Sequence, residues 1–377
     1  MRRYLAFLFF ALPLFFAQAG NAQIPPPTVA AKAWLLLDMS SGQLIASQAP
    51  NERFEPASLT KLMTAYIAFA AIKNKQLSLT QALPVSEKAW RAQGSRMFID
   101  PKNPVTVEEL LRGMIVQSGN DACIALAEAI GGSEDVFAQM MNREAQRLGM
   151  KNSNFMNSNG LPDAQHYSSA RDMYLLASAL VRDFPAEYST YYSIKEYRFN
   201  NITQMNRNRL LWLDPTVDGM KTGFTEAAGY CLVASSKRGP RRLMSVLLGS
   251  TSESTRAQES QKLLNWGFQF FDAVKLYDKG QAVKAIEVWK GAAPEVKAGF
   301  PYEMYITIPK GQADKVKADL LAQQPLVAPV SQGQKIGVMR VTIDGKPIGE
   351  YPVVALESVA VAGILGRAWD TLRLWIK

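Results

Sequence analysis

The sequence predicts an α+β protein: an antiparallel sheet with helices, then a small all-β domain, then a C-terminal amphipathic helix. Three observations carry this. Capped helical patterns and strand pairs share the chain up to about Asp272. Short segments of alternating apolar and polar residues follow. Residues 358–377 return to a helical period. The 377 residues exceed a typical single domain, and a hydrophobic content of 48% supplies a sizeable core.

The N-terminus comes first. Met1-Arg2-Arg3 is basic, and Leu5 to Phe16 is an apolar run too short to span a bilayer. Ala17-Gln18-Ala19 and Gly20-Asn21-Ala22 both end in alanine with a small residue at the third position back. Residues 1–22 are therefore expected to be a secretory signal peptide. Pro13 and the lack of a polar face argue against a buried helix there.

Residues 23–272 form the first expected domain. After Ile24-Pro25-Pro26-Pro27, AWLLLDMSSGQLIAS places two apolar runs around a Ser-Ser-Gly turn, a β-hairpin pattern. PASLTKLMTAY, Pro56 to Tyr66, opens a helix. TVEELLRGMIVQ is a second helix with Thr106 and Glu109 as a capping box. Ser118-Gly119-Asn120 separates it from DACIALAEAI, which ends at Gly131-Gly132. SEDVFAQMMNREAQRLG follows, with Ser133 as N-cap and Gly149 past its end. SSARDMYLLASALVRDFP is stopped by Pro185. VDGMKTGFT, YCLVASSK and RLMSVLLGS are strands, the last two joined at Arg238-Gly239-Pro240, and a long helix from Ser254 to about Phe271 closes the domain.

Residues 273–357 are the expected all-β domain. AVKAIEVWK, MYITIPK and KIGVMRVTIDGKPIGEYPVVAL alternate, and Asp344-Gly345 is a strong hairpin turn. Lysines alternating with valines and isoleucines suggest one solvated sheet face. In the last segment Val361, Ile364, Leu365, Ala368, Leu372, Trp375 and Ile376 share a helical face, opposite Arg367, Asp370, Arg373 and Lys377. Tryptophans with a basic opposite face form the pattern of an interfacial membrane helix. The alternative is a helix packed on the β domain.

Composition narrows the chemistry. The net charge is +9. Nucleic acid is a poor partner for an exported chain without basic runs and interleaved aromatics, so the charge suits an anionic membrane surface or wall polymer. Cys123 and Cys231 fall on a helix and a strand and read as free buried thiols. With His166 the only histidine, His-rich and Cys-rich metal sites are nearly excluded, and no cofactor is expected.

Ser58 and Lys61 stand three residues apart at a helix start, so they share a face. A serine at that place usually caps the helix. As a nucleophile it needs a base, and His166 lies in a loop with no Gly-x-Ser-x-Gly elbow. A lysine base must be neutral for a useful fraction of the time, which burial and a second cation favour. Lys221-Thr222-Gly223 supplies a cation, a hydroxyl and a glycine that admits close approach. Ser118-Gly119-Asn120 supplies a hydroxyl and an amide.

Each motif alone is weak, but the order Ser-x-x-Lys, Ser-x-Asn, Lys-Thr-Gly is a strong signal. With PASLTKLMTAY, MIVQSGNDACIALAE, NRNRLLW and VDGMKTGFTEAAGY, the chain resembles penicillin-binding proteins, and its layout resembles a low-molecular-mass serine-type D-alanyl-D-alanine carboxypeptidase. The resemblance runs from Ala33 to the C-terminus. It implies a penicillin-binding/β-lactamase-like catalytic domain, peptidoglycan pentapeptide as substrate, acylation by β-lactam antibiotics, and a place on the periplasmic face of the inner membrane. It implies roles too. Ser58 is the nucleophile, Lys61 the base and Ser118 the proton relay, with Lys221 shaping the field. Asn120 holds Lys61 and the substrate amide. Thr222 and Arg256 hold the terminal carboxylate, with Arg207 beside them. The N–H groups of Ser58 and Phe224 form the oxyanion hole, next to Gly223. Many relatives have histidine after Lys-Thr-Gly; Phe224 keeps the backbone donor and removes the imidazole. Two alternatives remain. A class A β-lactamase would need a glutamate between roughly Lys151 and Asp163, where there is none. A wall-binding scaffold would not need the intact motifs.

Overall fold

The computed structural model describes residues 24–364 and Asp370. The expected signal peptide and residues 365–369 and 371–377 of the expected terminal helix lie outside the described residues.

A five-stranded antiparallel sheet organises the first part of the chain. Its order is Gln43–Gln48, Ala33–Asp38, Arg241–Ser250, Gly229–Arg238, Val217–Thr225. The N-terminal hairpin thus lies beside strands two hundred residues later, with Leu35 opposite Val246. Both sheet faces are covered. Helix Ala170–Asp183 packs on one, in a core with Leu35, Leu37, Val233 and Val246. The long helix Glu253–Phe270 covers the other, where Leu36, Leu243 and Leu247 meet Leu263 and Leu264. This two-sided burial explains the near-continuous apolar runs in the central strands.

Helix Lys61–Lys73 is the centre of the helical lobe. Ten of its thirteen residues are buried. It is not the amphipathic helix its opening suggests: it is apolar almost all round, as a helix surrounded by others must be. Around it stand Val107–Val116, Asn120–Gly131 and Glu134–Arg147. The capping box of Thr106 and Glu109 is formed, and Ser133 and Ser169 cap their helices as N-cap acceptors. Pro185 does end the helix before it, but it also starts another, Pro185–Tyr191, as the first helical residue. A hairpin, Glu196–Phe199 with Ile202–Met205, precedes the sheet strands.

The all-β part begins where the long helix stops. Phe271–Tyr277 pairs with Met304–Pro309. Six further strands form a second sheet over a core of Val296, Phe300, Ile306, Ile336, Met339, Val341 and Val353. Asp344 and Gly345 both have positive φ, 48° and 76°, as a tight hairpin between Lys335–Ile343 and Lys346–Ala355 requires. Hydrogen bonds join the two parts: Ser41 Oγ to Thr307 Oγ1 at 2.6 Å, Thr307 N to Gln43 Oε1, an Arg241 guanidinium N–H to Phe271 O, and Lys310 N to Phe270 O at 2.9 Å.

The start of the terminal helix differs from expectation. Val359 forms an antiparallel bridge with Val330, and Val361 with Gly291. Alternating β-branched residues here complete the β domain, so Ser358 to Gly363 is not helical. The helical assignment begins at Ile364.

Candidate active site

Ser58 lies in a 3₁₀ turn, Ala57–Thr60, that runs directly into helix Lys61–Lys73. In a 3₁₀ turn residues i and i+3 are eclipsed, closer than in an α-helix. Neither the turn nor the helix uses a side-chain cap, so the Ser58 hydroxyl is not spent on capping. Ala57 has φ +48°, a strained value for alanine that bends the chain into the turn. Two glycines make room around it. A Cβ on Gly160 would sit 1.8 Å from Ala57 O, and one on Gly223 would sit 3.0 Å from Pro56 O. The Lys-Thr-Gly strand and the 157–160 loop therefore press on the turn from different chain segments.

Lys61 is 1% exposed. Its Nζ donates to Ser58 Oγ at 2.8 Å and to Asn159 O at 2.7 Å. Burial lowers its pKa to about 8, helped by the Arg207 guanidinium and opposed by Asp121. The Arg207 guanidinium is one nearby cation that lowers it. Lys221, the second cation expected at the site, interacts with Lys61 and is itself pushed well below the ordinary lysine value, by burial first and then by Lys61 and Arg207. Its Nζ donates to Ser118 Oγ at 3.0 Å. Ser118 takes φ +67°, a conformation held by the junction of two helices, and is 2% exposed. Two lysine–serine pairs thus converge on one cleft of about 480 Å³, lined by Ser58, Ser118, Asn120, Arg207, Thr222 and Arg256, among others.

Gly223, Phe224, Asn159 and Tyr230 also line that cleft, so every residue singled out from the sequence reaches it or, for Lys61 and Lys221, touches a serine that does. One expected contact differs. Asn120 does not hold Lys61: its Nδ2 donates to Gln93 O at 2.6 Å, and its Oδ1 is buried without a partner. The Asn159 carbonyl takes its place on Lys61. Arg256 is 5% exposed, donates to Gly223 O at 3.2 Å and lies over the Tyr230 ring at 5.5 Å. Phe224 packs against that same ring with centroids 4.4 Å apart. Asn208 Nδ2 donates to Gly219 O at 3.0 Å, fastening the NRNR segment to the Lys-Thr-Gly strand. Both cysteines are buried and free.

His166 is a structural residue. Its Nδ1 accepts from Met156 N–H at 3.3 Å and its Nε2 meets Thr60 Oγ1 at 2.9 Å. Burial lowers its pKa to about 4, so it is neutral at pH 7. Sequence reasoning missed the loop carrying Asn159. Its composition, Asn157-Ser158-Asn159-Gly160, marks a turn, but nothing local says that its carbonyl meets a lysine ninety-eight residues away.

The family model for D-alanyl-D-alanine carboxypeptidase matches residues 20–252, and the penicillin-binding protein 5 C-terminal domain matches 271–361. The chain is 42% identical to the D-alanyl-D-alanine carboxypeptidase DacC of Escherichia coli, over 97% of this chain and 92% of that one. Among solved structures it is similar to penicillin binding protein 5 of Haemophilus influenzae, with TM-score 0.86 and 41% identity over 90% of this chain and all of the other. It is also similar to penicillin-binding protein D2 of Listeria monocytogenes in an ampicillin-bound form, with TM-score 0.60 and 29% identity over 65% of this chain and 99% of that one. With the Ser58–Lys61 and Ser118–Lys221 pairs in one cleft and likeness along nearly the whole chain, the protein belongs to the D-alanyl-D-alanine carboxypeptidase family of penicillin-binding proteins.

Proposed function

We propose that this protein removes the terminal D-alanine of peptidoglycan pentapeptides through an acyl-enzyme on Ser58, and that β-lactams acylate the same serine. The observation that carries this is the buried Lys61 Nζ, 2.8 Å from Ser58 Oγ with a pKa lowered to about 8. A neutral amine there takes the Ser58 proton as Oγ attacks the carbonyl between the two D-alanines. The N–H groups of Ser58 and Phe224 receive the oxyanion. Ser118, hydrogen-bonded to Lys221, passes a proton to the departing amine; the C–N bond breaks and D-alanine leaves. Water then attacks the ester and releases the shortened peptide.

Binding follows from the same cleft. Arg256, Arg207 and Thr222 hold the terminal carboxylate, and the unpartnered Asn120 Oδ1 accepts a substrate amide N–H. A β-lactam offers the same amide and carboxylate, but its leaving nitrogen stays tethered, which favours a trapped ester. The lactamase alternative lacks its carboxylate. Among the described residues lining the cleft, Glu253 is the one acid, and it pairs with Arg256 at 3.8 Å. A muropeptide pentapeptide incubated with the protein should lose the mass of one D-alanine; an unchanged pentapeptide would exclude the reading.

Residues 23–272 would carry the chemistry and 273–357 an accessory role. The terminal segment would hold the protein on the periplasmic face of the inner membrane. Two features support that orientation. Asp370, on the polar face, accepts the Lys290 N–H at 2.6 Å, while Ile364, on the apolar face, is 78% exposed. Among the described residues no helix is long and apolar enough to cross a membrane.

A further inference from the structure

A buried carboxylate with no part in the reaction above stands behind the base. Glu134 is the first residue of helix Glu134–Arg147 and is 7% exposed. Its Oε1 accepts from Ser158 N at 3.1 Å and from Ser158 Oγ at 2.6 Å. Its Oε2 pairs with Lys88 Nζ at 2.8 Å. Ser158 O in turn accepts from Thr64 Oγ1 at 2.6 Å, one turn along the helix from Lys61. The next carbonyl, Asn159 O, is the one that accepts from Lys61.

That carbonyl decides where the base points. A neutral lysine has two N–H donors and one lone pair, and the lone pair must face the Ser58 proton. An N–H held by Asn159 O aims the lone pair away from the loop. The carbonyl stays in place only while its loop does. Gly160 already presses on Ala57 O, so the loop cannot retreat toward the turn. On the other side, among the described residues, Glu134 and Thr64 hold Ser158 by hydrogen bonds.

We propose that Glu134 is a positioning residue for the Lys61 base, acting through Ser158 and the Asn159 carbonyl. This rests on the peptidase reading above. The Lys88 ion pair extends the strut. Lys88 lies in the helical turn Glu87–Trp90, and the segment after it brings Gly94 and Ser95 to the cleft wall. One carboxylate therefore ties the 158–160 loop to the segment that carries the opposite wall.

The test uses the full chain with Glu134→Gln, which keeps size and one acceptor oxygen but brings an amide N–H toward Lys88. Pentapeptide turnover is followed against pH, with a melting curve for the folded fraction. A misaligned base should lower kcat about 10-fold to 100-fold, while KM, set by the carboxylate and amide contacts, is unchanged. The acid limb should also move to lower pH. The lysine ammonium loses a carbonyl acceptor, while Asp121 and Cys123 from the adjoining helix, Lys221 from the strand and Arg207 stay as they are. Lys88→Met keeps the Glu134–Ser158 bonds and the Glu134 charge, so it should lower kcat less and leave the acid limb where it is or shift it upward. An unchanged kcat overturns the inference. So does a fall in kcat that tracks the folded fraction with the limb unmoved, because Glu134 would then be merely structural. A wild-type chain that neither releases D-alanine nor labels with a fluorescent penicillin overturns the peptidase reading instead.

Discussion

Lys61 can serve as a base because so little water reaches it. An exposed ammonium near its usual pKa of about 10.4 would hold its proton at pH 7 nearly all the time. Burial brings the value to about 8, so roughly a tenth of the population is neutral at pH 7. The sign follows directly. Acylation needs the neutral amine, so its rate should rise tenfold per pH unit up to about 8 and level off above it. A rate independent of pH between 6 and 8 would refute this. Lys61→Arg keeps the charge and cannot release a proton in this range, so it should be as inactive as Lys61→Ala. Ser58→Ala should lose both turnover and covalent labelling by a fluorescent penicillin; labelling that persisted would move the nucleophile elsewhere. At this scale most of the site was legible in the sequence, because serine, lysine and Lys-Thr-Gly carry their chemistry in their side chains. The Asn159 carbonyl and Glu134 were not. The first is a backbone group that every residue owns, and the second reads as an ordinary acidic first turn after an N-cap.

Elements with local instructions were readable, and those set by distant packing were not. The Thr106 capping box, the Ser133 N-cap and the Asp344-Gly345 turn each rest on residues within one turn of chain. The short helix Pro185–Tyr191 was hidden behind its own proline. It is held by Tyr188 and Tyr191, both buried against the rest of the core, which no local pattern announces. The same contrast separates two substitutions. Thr106→Ala should cost about 1 kcal/mol, seen as a lower melting temperature, and leave penicillin labelling of the folded protein unchanged. Gly160→Ala should behave in the opposite way. Its φ of +85° and the Ala57 oxygen 1.8 Å from a new Cβ force the loop off the turn. Asn159 O must then leave Lys61, and labelling should fall well before the protein unfolds. Equal effects of the two variants on labelling would show that the loop does not set the site.

On the scale of the whole molecule, the proposed chemistry and the proposed attachment fall in different parts of the chain. The two lysine–serine pairs lie between Ser58 and Lys221, and Arg256 sits near the start of the long helix. The strands beyond Phe271 meet the catalytic sheet at its Ser41–Gln43 edge and through the Arg241–Phe271 contact. The tail should be removable, but the place of the cut matters. The helical pattern suggested a boundary at Ser358, yet Val359 and Val361 bridge to Val330 and Gly291, and Ala292 N donates to Ala360 O at 2.7 Å. A period-3.6 reading could not see this, because valines spaced two apart fit a strand as well. Truncation after Gly363 should therefore give a folded protein that leaves the membrane fraction and still releases D-alanine from small pentapeptides. Truncation after Glu357 should also be active but melt lower, since the β domain loses two bridges and the buried Val359. Before truncation, Arg367, Arg373 and Lys377 should each add about 1 kcal/mol on an anionic surface, and the apolar face should persist in high salt. Membrane binding of the full chain should then weaken as salt rises without vanishing. Complete release by salt alone would leave no part for Leu365, Leu372, Trp375 and Ile376, and a Gly363 truncation that stayed in the membrane fraction would place the anchor elsewhere.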